Sequence, residues 1–289
     1  MTVTEQTALV APGRLVGVIG AGVMGQTLMR GLLAAGLLTA DQIWAADRSA
    51  ETREAVRRDL GINVVEDYVD LLPQTDLVLL CVKPAQATTA LAAVRDAAPS
   101  ARTLFISILA GVTTAQLESA LGLQNPWVRA MPNTPCVVGE GMTVVCRGRD
   151  ASPAHVDLAR RIFAAVGRCE IVDEQYCNAI TALSGSGPAY MYLVMEALAD
   201  AGVKVGLPRC LALTLVAQTM LGAATMVLET DRHPASLRDD VTTPAGCTIG
   251  GLLMLEDGKI RSVLARAVEE ATRIVDRLGR PADQKGGHA

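Results

Sequence analysis

Aromatic residues are scarce in this 289-residue chain: phenylalanine, tryptophan and tyrosine together make up 3%. A base-stacking surface needs such rings, so single-stranded nucleic acid is disfavoured as a partner. Positive charge is not in excess either. The formal net charge is −4, which leaves no basic field to neutralise a phosphate backbone. The three histidines, His155, His233 and His288, stand outside every strand-end motif, which argues against histidine-dependent hydride chemistry. The sequence has no G-x-S-x-G, no H-E-x-x-H and no P-loop lysine. Seven cysteines occur, an odd number, and none are spaced C-x-x-C. That usage fits a reducing, cytoplasmic location without structural disulfides or a zinc site. The first thirteen residues lack the basic start and apolar run of a secretory signal and read as a frayed terminus. The apolar runs are too short, or too interrupted by glycine and proline, to span a bilayer, so no membrane partner is expected.

What is present is a well-folded globular chain. Half of the residues are apolar and 19% are charged. From Arg14 to Asp173 short apolar runs alternate with helical segments. "RLVGVIG", "QIWAAD", "DLVLLCV", "TLFISIL" and "WVRAMP" are apolar on both faces, as buried parallel strands are. "MGQTLMRGLLAAG" and "AETREAVRRDLG" are helical, and the alternation predicts a doubly wound α/β sheet of Rossmann type. "MTVVCRG" and "CEIVDE" add two strands around the helix "PAHVDLARRIFAAVG". Beyond Asp173 no strand pattern follows. Helices are expected at 174–203, 208–230, 247–256 and 260–278, before a disordered tail. The expected division is a dinucleotide-binding domain at 14–173 and an all-α domain at 174–280. "CLALTLVAQTMLGAATMVLE" is apolar nearly all round and must be buried nearly all round, which points to a partner subunit and a homodimer.

Five stretches carry chemistry. The first apolar strand runs into Gly20-Ala21-Gly22-Val23-Met24-Gly25 and then a helix. In that context the glycines serve a tight turn, a close approach to pyrophosphate and helix–strand packing. The helix N-terminus adds free N–H groups for the phosphates. Asp47 ends the second strand, where an acid bonds the ribose 2′-hydroxyl of NAD, but Arg48 and Ser49 follow and suit a 2′-phosphate. The two signals leave the cofactor choice open. Only four of the 26 basic residues are lysine, and Lys83 stands at the carboxyl end of a buried strand just before Pro84, where open α/β sheets bind ligands. Pro132-Asn133-Thr134-Pro135 forms a stiff loop at the same edge.

The fifth stretch is Thr242 to Thr248, a hydroxyl-rich loop opening a helix, with more hydroxyls than a plain cap needs; it suits an anion such as a carboxylate. One further stretch, "ALSGSGPAY", interrupts a long helical pattern. Gly185 and Gly187 permit close backbone approach, Pro188 suits the first turn of a restarted helix, and Ser186 is placed to cap it.

Together these residues resemble the pyrroline-5-carboxylate reductase family over nearly the whole chain, from Leu15 to Leu278. The likeness rests on Gly20-x-Gly22-x-x-Gly25, Val82-Lys83-Pro84, Ala110-Gly111-Val112, Met131 to Pro135, Ser184 to Tyr190 and Val241 to Thr248. The resemblance implies NAD(P)H-dependent reduction of L-1-pyrroline-5-carboxylate to L-proline, NADPH being the common donor. It also implies a homodimer built on the helical domain, and a decamer of five dimers. By the same resemblance Gly20 to Gly25 hold the pyrophosphate, and Arg48 and Ser49 meet the 2′-phosphate. Val82, Lys83, Pro84, Ala110 and Asn133 line the cofactor. Thr243, Gly246, Cys247 and Thr248 hold the substrate carboxylate, Thr248 also serves the ring nitrogen, and Asp231 lies near the site. No metal is implied.

The chain departs from the family at Ala245 and Cys247, where most members have glycine and threonine. A related imine is therefore an alternative substrate, and Ala245 is strained if that position needs a positive φ. A β-hydroxyacid dehydrogenase would need a lysine on the helix from Cys177 to Gly202, which has none. A non-catalytic NAD(P) sensor would need the glycine turn but not the 241–248 loop.

Overall fold

The computed structural model describes residues 9–11 and 13–278; the reading of the C-terminal tail lies outside them, whereas the frayed terminus expected for the first thirteen residues fails at Leu9 and Val10, whose apolar side chains are buried in the core. The chain divides into two compact units, one ending at Gly185 and resumed from Ala271, the other spanning Ser186–Glu270.

The first unit is built on an eight-stranded sheet. Its strands are β1 (Leu15–Ile19), β2 (Ile43–Ala46), β3 (Asn63–Val65), β4 (Thr75–Leu80), β5 (Leu104–Ser107), β6 (Trp127–Met131), β7 (Gly141–Arg147) and β8 (Gly167–Ile171). Their order is β3-β2-β1-β4-β5-β6-β7-β8. The first six strands are parallel and follow the dinucleotide-binding order, whose switch point lies between β1 and β4. β7 pairs antiparallel to β6. Only nine residues join these two strands, too few for a crossover, so the chain can only turn back.

Helices α1 (Val23–Ala34), α2 (Ala50–Leu60), α3 (Ala87–Asp96), α4 (Thr114–Leu121) and α5 (Pro153–Ala164) cover the sheet. Its two faces carry separate cores. Val16 and Val18 of β1 pack with Leu28, Leu32 and Phe163 on one side. Ile19 joins Trp44, Leu91, Phe105 and Leu117 on the other. Within this second core Trp44 stacks on Tyr68 at 5.5 Å and donates its indole N–H to Thr75 Oγ1 at 2.9 Å, while Phe105 stacks on Trp127 at 4.9 Å.

The stretch expected as one helix over 174–203 is broken. A short α6 (Cys177–Ile180) leads into a π-turn at Thr181–Gly185, and α7 (Gly187–Lys204) starts afresh with Pro188 in its first turn. The restart matches the proline expectation. Ser186, however, takes the N-cap position in a helical conformation, φ −85 and ψ −18, and makes no side-chain cap bond.

The second unit is helical: α7, α8 (Arg209–Thr230), α9 (Pro234–Asp240), α10 (Cys247–Asp257) and the first part of α11 (Ile260–Leu278). The expectation that no apolar run could span a bilayer fails at α8. This 22-residue helix is long and apolar enough by length and composition, as core helices of globular proteins also are. Gly222 does not interrupt it. The hydroxyls of Thr214, Thr219, Thr225 and Thr230 each donate to the carbonyl four residues earlier, so the helix satisfies its own polar groups. Leu211, Leu215, Leu221 and Leu228 remain exposed on it.

Candidate functional site

At the switch point the carboxyl ends of β1, β2 and β4 open a cleft of about 780 Å³. Its wall includes Gly20, Gly22, Asp47, Arg48, Ser49, Thr52, Glu66, Tyr68, Val82, Lys83 and Gln86. Gly20 has φ +100, and a Cβ there would lie 2.7 Å from the Cys81 carbonyl carbon, so only glycine lets the turn pass so close to the end of β4. Gly22 occupies the N-cap of α1 and leaves the helix without a side-chain cap. The N–H groups of that first turn are therefore available to an anion. Gly25 faces the turn itself: an added Cβ would collide with the Gly20 carbonyl.

Six expected cofactor residues thus share one cleft wall: Gly20, Gly22, Arg48, Ser49, Val82 and Lys83. Ala21 is fully buried, and Val23, Met24 and Gly25 build the start of α1 without lining the cleft. Pro84 opens a 3₁₀ turn after Lys83, and Ala110 sits in the turn between β5 and α4. Asn133 is turned inward. Its Oδ1 accepts the Met142 N–H at 2.9 Å and its Nδ2 donates to the Ser184 carbonyl at 3.2 Å. It ties the proline-flanked loop to β7 and to the π-turn.

Asp47 is already engaged. Its Oδ2 accepts the Ala21 N–H at 3.0 Å and its Oδ1 accepts the Ser49 N–H at 2.9 Å. The carboxylate braces the glycine turn while lining the cleft beside Arg48 and Ser49. Two neighbours are held neutral. Burial, with Asp67 adding to it, pushes the Tyr68 phenol up to about 12, and burial pushes the Cys81 thiol up to about 12.

Sequence reasoning missed a second polar cluster. Arg129 on β6 is 1% exposed and donates to Glu174 at 3.4 Å and to Asn178 at 3.1 Å. Glu174 also accepts from the N–H and hydroxyl of Thr114 at 2.8 and 2.7 Å. The signal available was an arginine inside an otherwise apolar strand, which demands a buried partner.

In the helical unit the threonine loop turns on a bond from the Gly246 N–H to the Thr243 carbonyl, 3.1 Å. Gly246 is the N-cap of α10 and supplies no side-chain cap, so Cys247 and Thr248 open the helix with free N–H groups. The hydroxyls of Thr243 and Thr248 make no hydrogen bond among the described residues. Ala245 has φ +55, the conformation that the sequence analysis identified as strained for alanine. Asp231 stands apart from this loop in sequence, ending α8 with φ +55, and its neighbour Arg232 pairs with Asp240 at 2.6 Å.

Comparison with known proteins finds two family models along the chain. Residues 174–278 match a family model described as pyrroline-5-carboxylate reductase dimerisation, and residues 15–111 match one described as NADP oxidoreductase, coenzyme F420-dependent. The chain is 42% identical to the pyrroline-5-carboxylate reductase of Arabidopsis thaliana, over 89% of this chain and 93% of that protein. It is 41% identical to that of Methanosarcina acetivorans, over 92% and 98%. Among solved structures, the pyrroline-5-carboxylate reductase of Coxiella burnetii superposes with a TM-score of 0.87 at 35% identity, covering 93% of this chain and 100% of that one. The Plasmodium falciparum pyrroline carboxylate reductase with NADP bound gives 0.83 at 32% identity, covering 92% and 98%.

Proposed function

The chain belongs to the pyrroline-5-carboxylate reductase family, and on that premise we propose that it reduces L-1-pyrroline-5-carboxylate to L-proline, the last step of proline synthesis. The nucleotide, when bound, supplies the hydride. The observation that carries the reading is one chain holding two uncapped helix N-termini, one in a glycine-built cleft and one beside two unpartnered threonine hydroxyls.

The residues suit their groups. Gly20 to Gly25 cradle the pyrophosphate, Gly22 leaving room for it. Arg48 and Ser49 take the 2′-phosphate, so NADPH is the preferred donor. NADH is the lesser one, because its adenosine end offers no 2′-phosphate for the Arg48 guanidinium and the Ser49 hydroxyl to bind. Val82, Lys83, Pro84 and Ala110 border the cofactor and Asn133 fixes the loop beside it. Thr243, Gly246, Cys247 and Thr248 hold the substrate carboxylate, with Asp231 nearby. The Thr248 hydroxyl holds the ring nitrogen. A protonated cyclic imine accepts hydride readily, so alignment and exclusion of water are the protein's main tasks.

The domain division at 14–173 and 174–280 goes with this reading. So do a homodimer in which a second copy covers the apolar face of α8, assembly of five dimers into a decamer, and a cytoplasmic location without nucleic acid or membrane. The test is loss of reduced-nucleotide absorbance when purified protein meets 1-pyrroline-5-carboxylate. Rapid oxidation of NADPH, faster than of NADH, is expected. No oxidation of either by a protein that still binds NADPH would redirect the site to another imine or to nucleotide sensing.

A further inference from the structure

Arg53 lies on α2 among several arginines of ordinary appearance, yet its surroundings set it apart. Its Nη1 donates to the carbonyl of Asp47 at 2.8 Å and to the carbonyl of Arg48 at 3.0 Å. Its Nη2 donates to Glu66 at 2.8 Å, and its side chain is only 16% exposed. The same turn is gripped from the other side by Asp47, through the N–H groups of Ala21 and Ser49. Ser49 in addition caps α2 by accepting the Thr52 N–H at 3.2 Å. The polar backbone atoms of the β2–α2 turn are thus clamped: one guanidinium nitrogen, Nη1, restrains two successive carbonyls at once while Nη2 anchors the group to Glu66. Arg53 itself does not line the cleft; Arg48, Ser49 and Thr52 do.

We infer that Arg53 is a positioning residue that sets the nucleotide preference of this site. It holds the Asp47 and Arg48 carbonyls away from the cleft and so presents the Arg48 and Ser49 side chains where a 2′-phosphate is bound. A carbonyl oxygen released towards that position would repel the phosphate. The inference rests on the NADPH reading above.

The test compares binding of adenosine 2′,5′-bisphosphate with that of 5′-AMP, which report the adenosine end with and without the extra phosphate. It uses the full-length protein and the variants Arg53→Gln and Arg53→Lys. Arg53→Gln is expected to weaken the bisphosphate roughly tenfold, the effect of about one charge-assisted hydrogen bond, and to leave 5′-AMP within about twofold. In turnover the NADPH KM rises by the same factor while kcat holds. Arg53→Lys keeps the charge but has no second nitrogen to anchor it to Glu66 while it bridges the two carbonyls, and it shares most of the loss. It also serves if Arg53→Gln folds poorly.

Full recovery in Arg53→Lys would make the effect one of charge alone and overturn the positioning role. So would an equal loss for both ligands, or no loss. If the unaltered protein bound both ligands equally, the 2′-phosphate reading would fall, and the role of Arg53 with it.

Discussion

Two glycines three residues apart should respond to the same methyl group in opposite ways. Gly22 has φ −71 and ψ −169, a conformation open to any residue, and an added Cβ meets nothing within 4 Å. Gly25 sits inside α1, and its Cβ would collide with the Gly20 carbonyl and lie 3.3 Å from Val18 Cγ1. Gly22→Ala should therefore fold as well as the parent or better, by about 0.4–1 kcal/mol from reduced unfolded-state entropy. Its cost should appear only in nucleotide binding, because the methyl occupies the space a pyrophosphate needs; a tenfold rise in the NADPH KM corresponds to about 1.4 kcal/mol. Gly25→Ala must push α1 off the sheet and should lose about 1–3 kcal/mol of stability. Urea unfolding at fixed protein concentration reads the first quantity and initial rates against NADPH the second. A Gly22→Ala protein of normal stability and unchanged KM would refute the claim that backbone meets pyrophosphate at this turn.

Three further outcomes are expected. Ala245→Gly relieves an alanine at φ +55, a strain of about 1–2 kcal/mol partly offset by the entropy of glycine, so the melting temperature should rise by about 1–4 °C; a fall would show that the loop does not need that conformation. Arg129→Ala leaves Glu174 with only its Thr114 bonds and empties a fully buried position on β6, and should destabilise the protein by about 3 kcal/mol in urea titration; a loss under 1 kcal/mol would mean the pair is idle. Cys81, with its thiol pushed up to about 12 by burial, stays protonated at pH 8 and should resist iodoacetamide under native conditions, its labelling setting in only as the pH climbs towards that value. Peptide mapping checks this, and labelling at the rate of a free thiol would refute it.

The parallel half of the sheet was legible because buried parallel strands read as continuous apolar runs, as "DLVLLCV" does. The strand β3 escaped notice: it is three residues long, Asn63–Val65, too short for any period to register. The reversal of β7 was invisible in composition, and only the short link after β6 betrays it. α9 was missed because a seven-residue helix beginning at a proline and capped by His233 has too few apolar positions to show a face. The glycine turn and the threonine loop were readable from residue type alone. The contacts of Asn133 and Arg53 were not readable from type, since they depend on which backbone carbonyls and N–H groups the fold brings against each side chain.

The chain has two tryptophans, and they belong to two different aromatic stacks. Trp44 stacks on Tyr68, a wall of the nucleotide cleft, whereas Trp127 is stacked on Phe105 beneath α4. Both are fully buried, so their emission does not respond to solvent at the surface. A reduced nicotinamide nucleotide absorbs in the band where indole emits. Occupancy of the cleft is therefore written into the protein's own fluorescence, and a Trp44→Phe protein would leave Trp127 as its one indole emitter.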